Sequence, residues 1–110
     1  MMVFSDGSEF REYTYAKDIA KIMMLLLDNY NDSDMLNIGN NSEYAIASIA
    51  CLICEILRKD IKGIIFKDLQ STIRRWNMNT YKINCLFPDF KWTPLREGLE
   101  NTINWYKENK

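Results

Sequence analysis

The chain has 110 residues, 14 Lys plus Arg against 15 Asp plus Glu, four glycines and no histidine. The length predicts one domain spanning residues 1–110, burying about two thirds of its extended surface. A net charge of −1 excludes a broad positive field for nucleic acid or an anionic membrane, and the missing histidine excludes Ser-His-Asp or Cys-His catalysis, His-ligated zinc and a histidine pH switch within these residues.

In chain order, Phe10 to Tyr15 is rich in β-formers and predicts a short strand. Ile19, Ile22, Met23, Leu26 and Leu27 recur at helical spacing and predict an amphipathic helix from about Ala16 to Asn29. Met35 to Ile38 alternates like a half-buried strand, with a turn at Gly39-Asn40-Asn41. Ser42 is an N-cap candidate for a second helix, from Glu43 to about Lys59, with a stripe of Ile46, Ile49, Ala50, Ile53, Ile56 and Leu57. Arg58 and Lys59 close it where the helix dipole favours cations. Gly63 to Lys67 is a third strand, Asp68 to Asn79 an irregular polar stretch, and Tyr81 to Leu86 a short helix stopped by Pro88. Thr93 as N-cap and Pro94 at the first helical position start the last helix, which carries Leu95, Leu99, Ile103 and Tyr106 on one face and runs to Glu108. The sum is an α/β fold of three or four helices with short strands.

Three cysteines make an odd count, and the first residues have neither a basic nor an apolar leader region. The apolar run Ile22–Leu27 is too short to span a bilayer. The expectation is a cytoplasmic chain with free thiols and no membrane partner. Cys51-Leu52-Ile53-Cys54 is formally C-x-x-C, but it falls inside an apolar helix with only Cys85 left over. Buried or half-buried packing as small hydrophobes is the better reading. Tyr13 and Lys17 have the Tyr-x-x-x-Lys spacing of a dehydrogenase acid/base pair, but only twelve residues precede Tyr13 and a dinucleotide-binding sheet cannot be built from them. Asp32 and Asp34 lack the glycine and terminal glutamate of a calcium loop. The four glycines are never closely spaced and make no phosphate loop. Arg11 and Arg74-Arg75-Trp76 are better prospects: guanidinium groups bind diphosphates in bidentate fashion, and aromatic neighbours can stack on a base or sugar. A two-arginine cluster taken alone is more often a solvated face.

Taken together, these segments resemble the C-terminal portion of an extended short-chain dehydrogenase/reductase of the NAD-dependent epimerase/dehydratase family. Gly7-Ser8-Glu9-Phe10-Arg11-Glu12-Tyr13 is similar to the family's G-x-x-x-R-[EQ]-F segment, and Tyr15 to Ala20 to its [HY]-x-x-D-[LI]-A helix start. Met35 to Gly39 resembles its I-N-V-G segment and Gly63 to Phe66 its G-x-[IV]-x-F-D strand. Phe87 to Leu95 is similar to L-P-D-F-R-F-T-P-F.

The resemblance implies a small substrate-binding C-terminal domain. It implies a nucleotide-diphosphate sugar of the GDP-4-keto-6-deoxy-hexose class as partner. Full-length members use NADP; cofactor-binding and catalytic residues belong to an N-terminal Rossmann part that this chain lacks. Carried over by position, Arg11 meets the diphosphate, Phe4 lies beside the substrate, and Arg74 and Arg75 form a basic pair near the nucleotide. Two departures stand out: Leu69-Gln70-Ser71-Thr72 replaces the family's K-x-D-G loop, and Lys17 replaces an acidic or neutral residue. The resulting expectation is a nucleotide-sugar-binding portion that is inactive alone and forms a homo-oligomer through an exposed apolar face. The alternative is a non-catalytic interaction module that keeps the fold and has lost the ligand.

Overall fold

A computed structural model describes residues 1–67 and 73–110. The elements are β1 (Met2–Val3), β2 (Phe10–Glu12), α1 (Ala16–Asn29), β3 (Glu43–Ala45), α2 (Ile46–Ile56), a 3-10 turn at Ile61–Gly63, β4 (Ile65–Phe66), β5 (Arg75–Trp76), α3 (Tyr81–Leu86) and α4 (Leu95–Glu108). The α/β class, α1, α3 and the end of α4 agree with the sequence expectation.

Two small sheets organise the strands. Met2 and Val3 pair in parallel with Ile65 and Phe66, and the Met1 ammonium extends this ladder by donating to the Gly63 carbonyl at 2.8 Å. The second sheet has the order β3-β2-β5. Here β2 runs antiparallel to β3 and parallel to β5. Between the sheets, Gly7 adopts φ +86°, and a Cβ there would stand 3.0 Å from both Ala47 Cβ and Phe66 Cε1. Glycine satisfies both the left-handed backbone and the lack of room.

Several local expectations give way to tertiary pairing. Glu43–Ala45 is strand, not the first turn of α2, because its backbone pairs with Phe10–Glu12. Ser42 therefore caps nothing. The first free N–H groups of α2, Ile46 and Ala47, donate instead to the carbonyls of Glu9 and Gly7 at 2.9 and 3.0 Å. At its other end α2 stops at Ile56. Arg58 enters the left-handed region (φ 53°), its N–H donates to Glu55 O, and that of Lys59 donates to Cys54 O. This is a Schellman closure with arginine where glycine is usual. Met35–Ile38 is not a strand, and Met35 is 95% exposed. Conversely, Arg75–Trp76 forms a strand inside a stretch read as irregular.

Thr93 is not the N-cap of α4. Pro94 holds that position without a side-chain cap, and Thr93 is engaged elsewhere. Its N–H donates to Asp18 Oδ2 at 2.7 Å and its hydroxyl to Asp18 Oδ1 at 2.9 Å. Asp18, in the first turn of α1, is 1% exposed, so both carboxylate oxygens are spent on one residue 75 positions away. Arg96 on α4 donates to Glu55 at 2.7 Å, tying α4 to the end of α2. Gly98 faces Tyr15, with room for a Cβ at 3.4 Å.

The core is thin. Among the described residues the buried apolar side chains are Ile22, Ile49, Ala50, Cys54 and Ile83. The α1 stripe is narrower than its pattern predicts: Met23 and Leu27 are 57% and 77% exposed, and Met24 lies open beside them. The chain leaves 8214 Å² accessible, against about 6,300 Å² for a compact chain of this length. The radius of gyration, 16.4 Å, likewise exceeds the roughly 13 Å expected. The predicted two-thirds burial is therefore not reached: too much apolar surface faces outward.

Gly7→Ala should destabilise the chain by about 1–3 kcal/mol, through left-handed strain plus overpacking. Gly98→Ala should be neutral or stabilising by up to about 1 kcal/mol, since it adds helix propensity in ordinary contact distance. Thermal melts of the two variants, compared side by side, test this contrast. Asp18→Asn places a donor against donors and should cost about 1–3 kcal/mol, read as a lower denaturation midpoint at unchanged m-value.

Candidate functional site

Strand register places the arginines. In β2, Arg11 lies opposite Tyr44 on β3 and Trp76 on β5, whereas Phe10 lies opposite Ala45 and Arg75. Side chains alternate faces along a strand, and directly paired residues share a face. One face therefore carries the row Tyr44, Arg11, Trp76; the other carries Phe10, Glu12, Glu43 and Arg75. Contacts on the second face agree with that reading. Arg75 crosses above Phe10, 6.0 Å from the ring centroid, to reach Glu43. There its Nε donates to Oε1 and Oε2 at 2.9 and 2.8 Å, and its Nη2 also donates to Oε2.

Each arginine is held within the chain. Arg11 donates through Nη1 to Phe10 O at 2.8 Å and through Nη2 to Ile73 O at 3.0 Å and Glu9 Oε2 at 3.3 Å. Glu9 is buried, while the Arg11 side chain keeps 29% of its surface. Arg74 donates to Asp6 Oδ2 at 2.6 Å and to Ser8 Oγ at 2.9 Å. The Ser8 hydroxyl and the Arg74 guanidinium together lower the Asp6 pKa to about 2. Arg75 likewise holds Glu43 below the usual carboxylate range. Arg11 thus sits on the opposite sheet face from Arg75, and Arg74 is directed to the turn before β2. Phe4 lies just past β1 and is 62% exposed. Leu69 to Thr72 lies outside the described residues.

Beneath β2, Glu12 fixes the loops that frame the sheet. Its carboxylate accepts from Asn41 N at 3.2 Å and Met78 N at 3.3 Å. Gly39 leaves room for it, since a Cβ there would fall 2.0 Å from Glu12 Oε1. Asn41 turns the chain at φ 56°, as the Gly-Asn-Asn sequence predicts.

Other candidate motifs part company in three dimensions. Cys54 is buried on α2 while Cys51, on the same helix, is exposed, as is Cys85. Among the described residues no group of His, Cys, Asp or Glu is placed to hold a metal. Tyr13 lines a cavity of about 230 Å³ between the start of α1 and α4, together with Tyr15, Thr93, Leu99 and Thr102. Lys17 is exposed on α1. None of Phe4, Arg11, Arg74 or Arg75 lines that cavity. Gly7 is packed against Ala47 and Phe66, Gly39 against Glu12 and Gly98 against Tyr15, while Gly63 is open. Among the described residues, no helix is long and apolar enough to cross a membrane.

Comparison with known proteins identifies the fold. The fold is shared with a dTDP-glucose 4,6-dehydratase from Bacillus anthracis in complex with NAD, at TM-score 0.86 and 24% identity over 99% of this chain and 34% of that one. A GDP-L-fucose synthetase from Naegleria fowleri bound to NADP gives TM-score 0.83 at 23% identity, over 98% and 33% of the two chains. The α/β fold of this chain is therefore the fold of about a third of each of those chains.

Sequence matches narrow this further. Residues 1–39 match the NAD dependent epimerase/dehydratase family. The chain is 33% identical to GDP-L-fucose synthase 1 of Arabidopsis thaliana and 30% identical to a probable GDP-L-fucose synthase 1 of Oryza sativa subsp. japonica, over 99% of its length and 33% of theirs. The chain is thus similar along almost its whole length to a segment of these enzymes, and it spans about a third of the length of the curated relatives it matches.

The Asp6–Arg74 contact makes stability depend on pH. The Asp6 carboxyl ionises at a lower pH in the folded chain than its ordinary 3.8, so the unfolded chain binds more protons at this group. Its stabilisation is complete well above pH 3.8 and is lost as pH falls toward about 2. Asp6→Asn should flatten that acid limb, a difference that urea titrations of both proteins from about pH 6 downward will register.

Proposed function

We propose that the chain is the nucleotide-sugar-binding portion of an NADP-dependent sugar-nucleotide epimerase/reductase of the GDP-L-fucose synthase type. The observation that carries this is Arg11: a half-exposed guanidinium on the central strand of the β3-β2-β5 sheet, in a segment aligned with GDP-L-fucose synthases along almost the whole chain. Its substrate is a nucleotide-diphosphate sugar of the GDP-4-keto-6-deoxy-hexose class. Arg11 meets the diphosphate, Arg74 adds positive charge from the neighbouring turn, and Phe4 borders the sugar. Arg75 acts from the other sheet face by clamping β5 to β3 through Glu43.

Residues 1–110 form one C-terminal substrate-binding unit, and hydride transfer and acid/base chemistry come from a dinucleotide-binding part outside these residues. NADP, bound there, supplies the hydride. The excess accessible surface, the thin core and the open Met23, Met24 and Leu27 support a face that packs against further protein. In the isolated chain that face drives self-association. A second reading, an interaction module without ligand, draws on one observation: Arg11, Arg74 and Arg75 each meet a carboxylate of the same chain.

Calorimetric titration with GDP separates the two. Binding that Arg11→Ala weakens by about 1.5–3 kcal/mol supports the substrate-binding reading; no heat with either protein leaves the interaction module. The isolated chain should not oxidise NADPH in the presence of a keto-sugar nucleotide, and turnover in that assay would overturn the assignment of catalysis to a separate part.

A further inference from the structure

We infer that Trp76 is a stacking platform for the ring end of the nucleoside diphosphate whose phosphates meet Arg11; this rests on the substrate-binding reading above. Trp76 is paired directly with Arg11 across β5 and β2, so the indole and the guanidinium stem rise from the same sheet face. Tyr44 flanks Arg11 from β3 on its other side. The register is corroborated from below, where Arg75 and Glu43 meet over Phe10. A cation with an aromatic ring on each side is a composite surface: charge for phosphate, π-faces for a planar ring.

Exposure points the same way. Trp76 is 58% exposed, although strand tryptophans normally bury their large apolar surface. Its partner Arg11 donates to Ile73 O, three residues upstream of Trp76, so the segment leading into the platform is tied to the phosphate-binding group. In a nucleoside diphosphate one ribose separates base from phosphates, a span of the same order as the strand spacing of about 4.8 Å between Arg11 and Trp76. Stacking tolerates any base, because every base has a π-face. Trp76 therefore supplies affinity and leaves the choice of base to other groups.

The test uses the isotopically labelled full chain, titrated with GDP and, separately, with inorganic pyrophosphate, in wild type, Trp76→Ala, Trp76→Phe and Arg11→Ala. GDP should shift the Trp76 indole N–H signal, identified by its loss in Trp76→Phe. Trp76→Ala should weaken GDP by about five- to a hundredfold and Trp76→Phe by less, while pyrophosphate binding stays unchanged in both. Arg11→Ala should weaken both ligands. Equal weakening of GDP and pyrophosphate by Trp76→Ala would overturn the inference, because the indole would then only support the sheet. GDP binding that depends on Arg11 but not on Trp76 would overturn it while sparing the substrate-binding reading. No GDP binding by the wild type would end both.

Discussion

The arrangement of the helices turns on one buried carboxylate. Asp18 gives both its oxygens to Thr93, joining the first turn of α1 to the residue just before α4. A buried carboxylate must be fully hydrogen-bonded or it opposes folding. Here one threonine supplies backbone and side-chain donors together, so the geometry is met by one approach of α4 and no other. Such a polar latch carries more of the structural specification where few apolar side chains are buried. Arg96 and Glu55 then set α4 against α2, and α2 in turn donates its first N–H groups to the chain around β2.

The same economy shapes the charged face. Arg11, Arg74 and Arg75 are drawn from a short stretch of sequence and its β-partner, yet each answers to a different carboxylate: Glu9, Asp6 and Glu43. Of these pairs, Arg75–Glu43 ties β5 to β3 across β2. Under the proposed substrate-binding reading their separation matters. A guanidinium already supported by carbonyls and one carboxylate is pre-oriented for an incoming anion, so less conformational entropy is lost on binding. Arg75, locked to Glu43 on the opposite face, has a structural task that its proximity in sequence to Arg74 conceals.

How much of this was legible beforehand depended on the range of the interaction involved. α1 could be bounded from Ala16 to Asn29 because helical periodicity is local, and α3 for the same reason. The core side of α1 was blurred, since Met23, Met24 and Leu27 surround the true inner face with equally apolar residues. β3 and β5 lie in segments that read as helix start and irregular stretch; pairing with β2 creates them. Thr93-Pro94 carried a convincing cap signal, overridden by a partner 75 residues away. Arg11 stands out by its guanidinium chemistry, and family resemblance alone assigns it the diphosphate. That Trp76 shares its face while Arg75 does not follows from a register fixed between distant segments, which no local spacing reveals.

Those distant pairings also govern the order in which the chain can assemble. β1 waits for β4 and β2 for β5, across separations of more than sixty residues, while only β2 and β3 pair within the first half of the chain. Closing such long loops costs entropy before any contact compensates for it. During synthesis Asp18 precedes Thr93 by 75 residues and has no such partner until the segment before α4 is made. Until then the nascent segment carries an unsatisfied carboxylate beside an open apolar helix, so the latch between α1 and α4 is committed late among these elements.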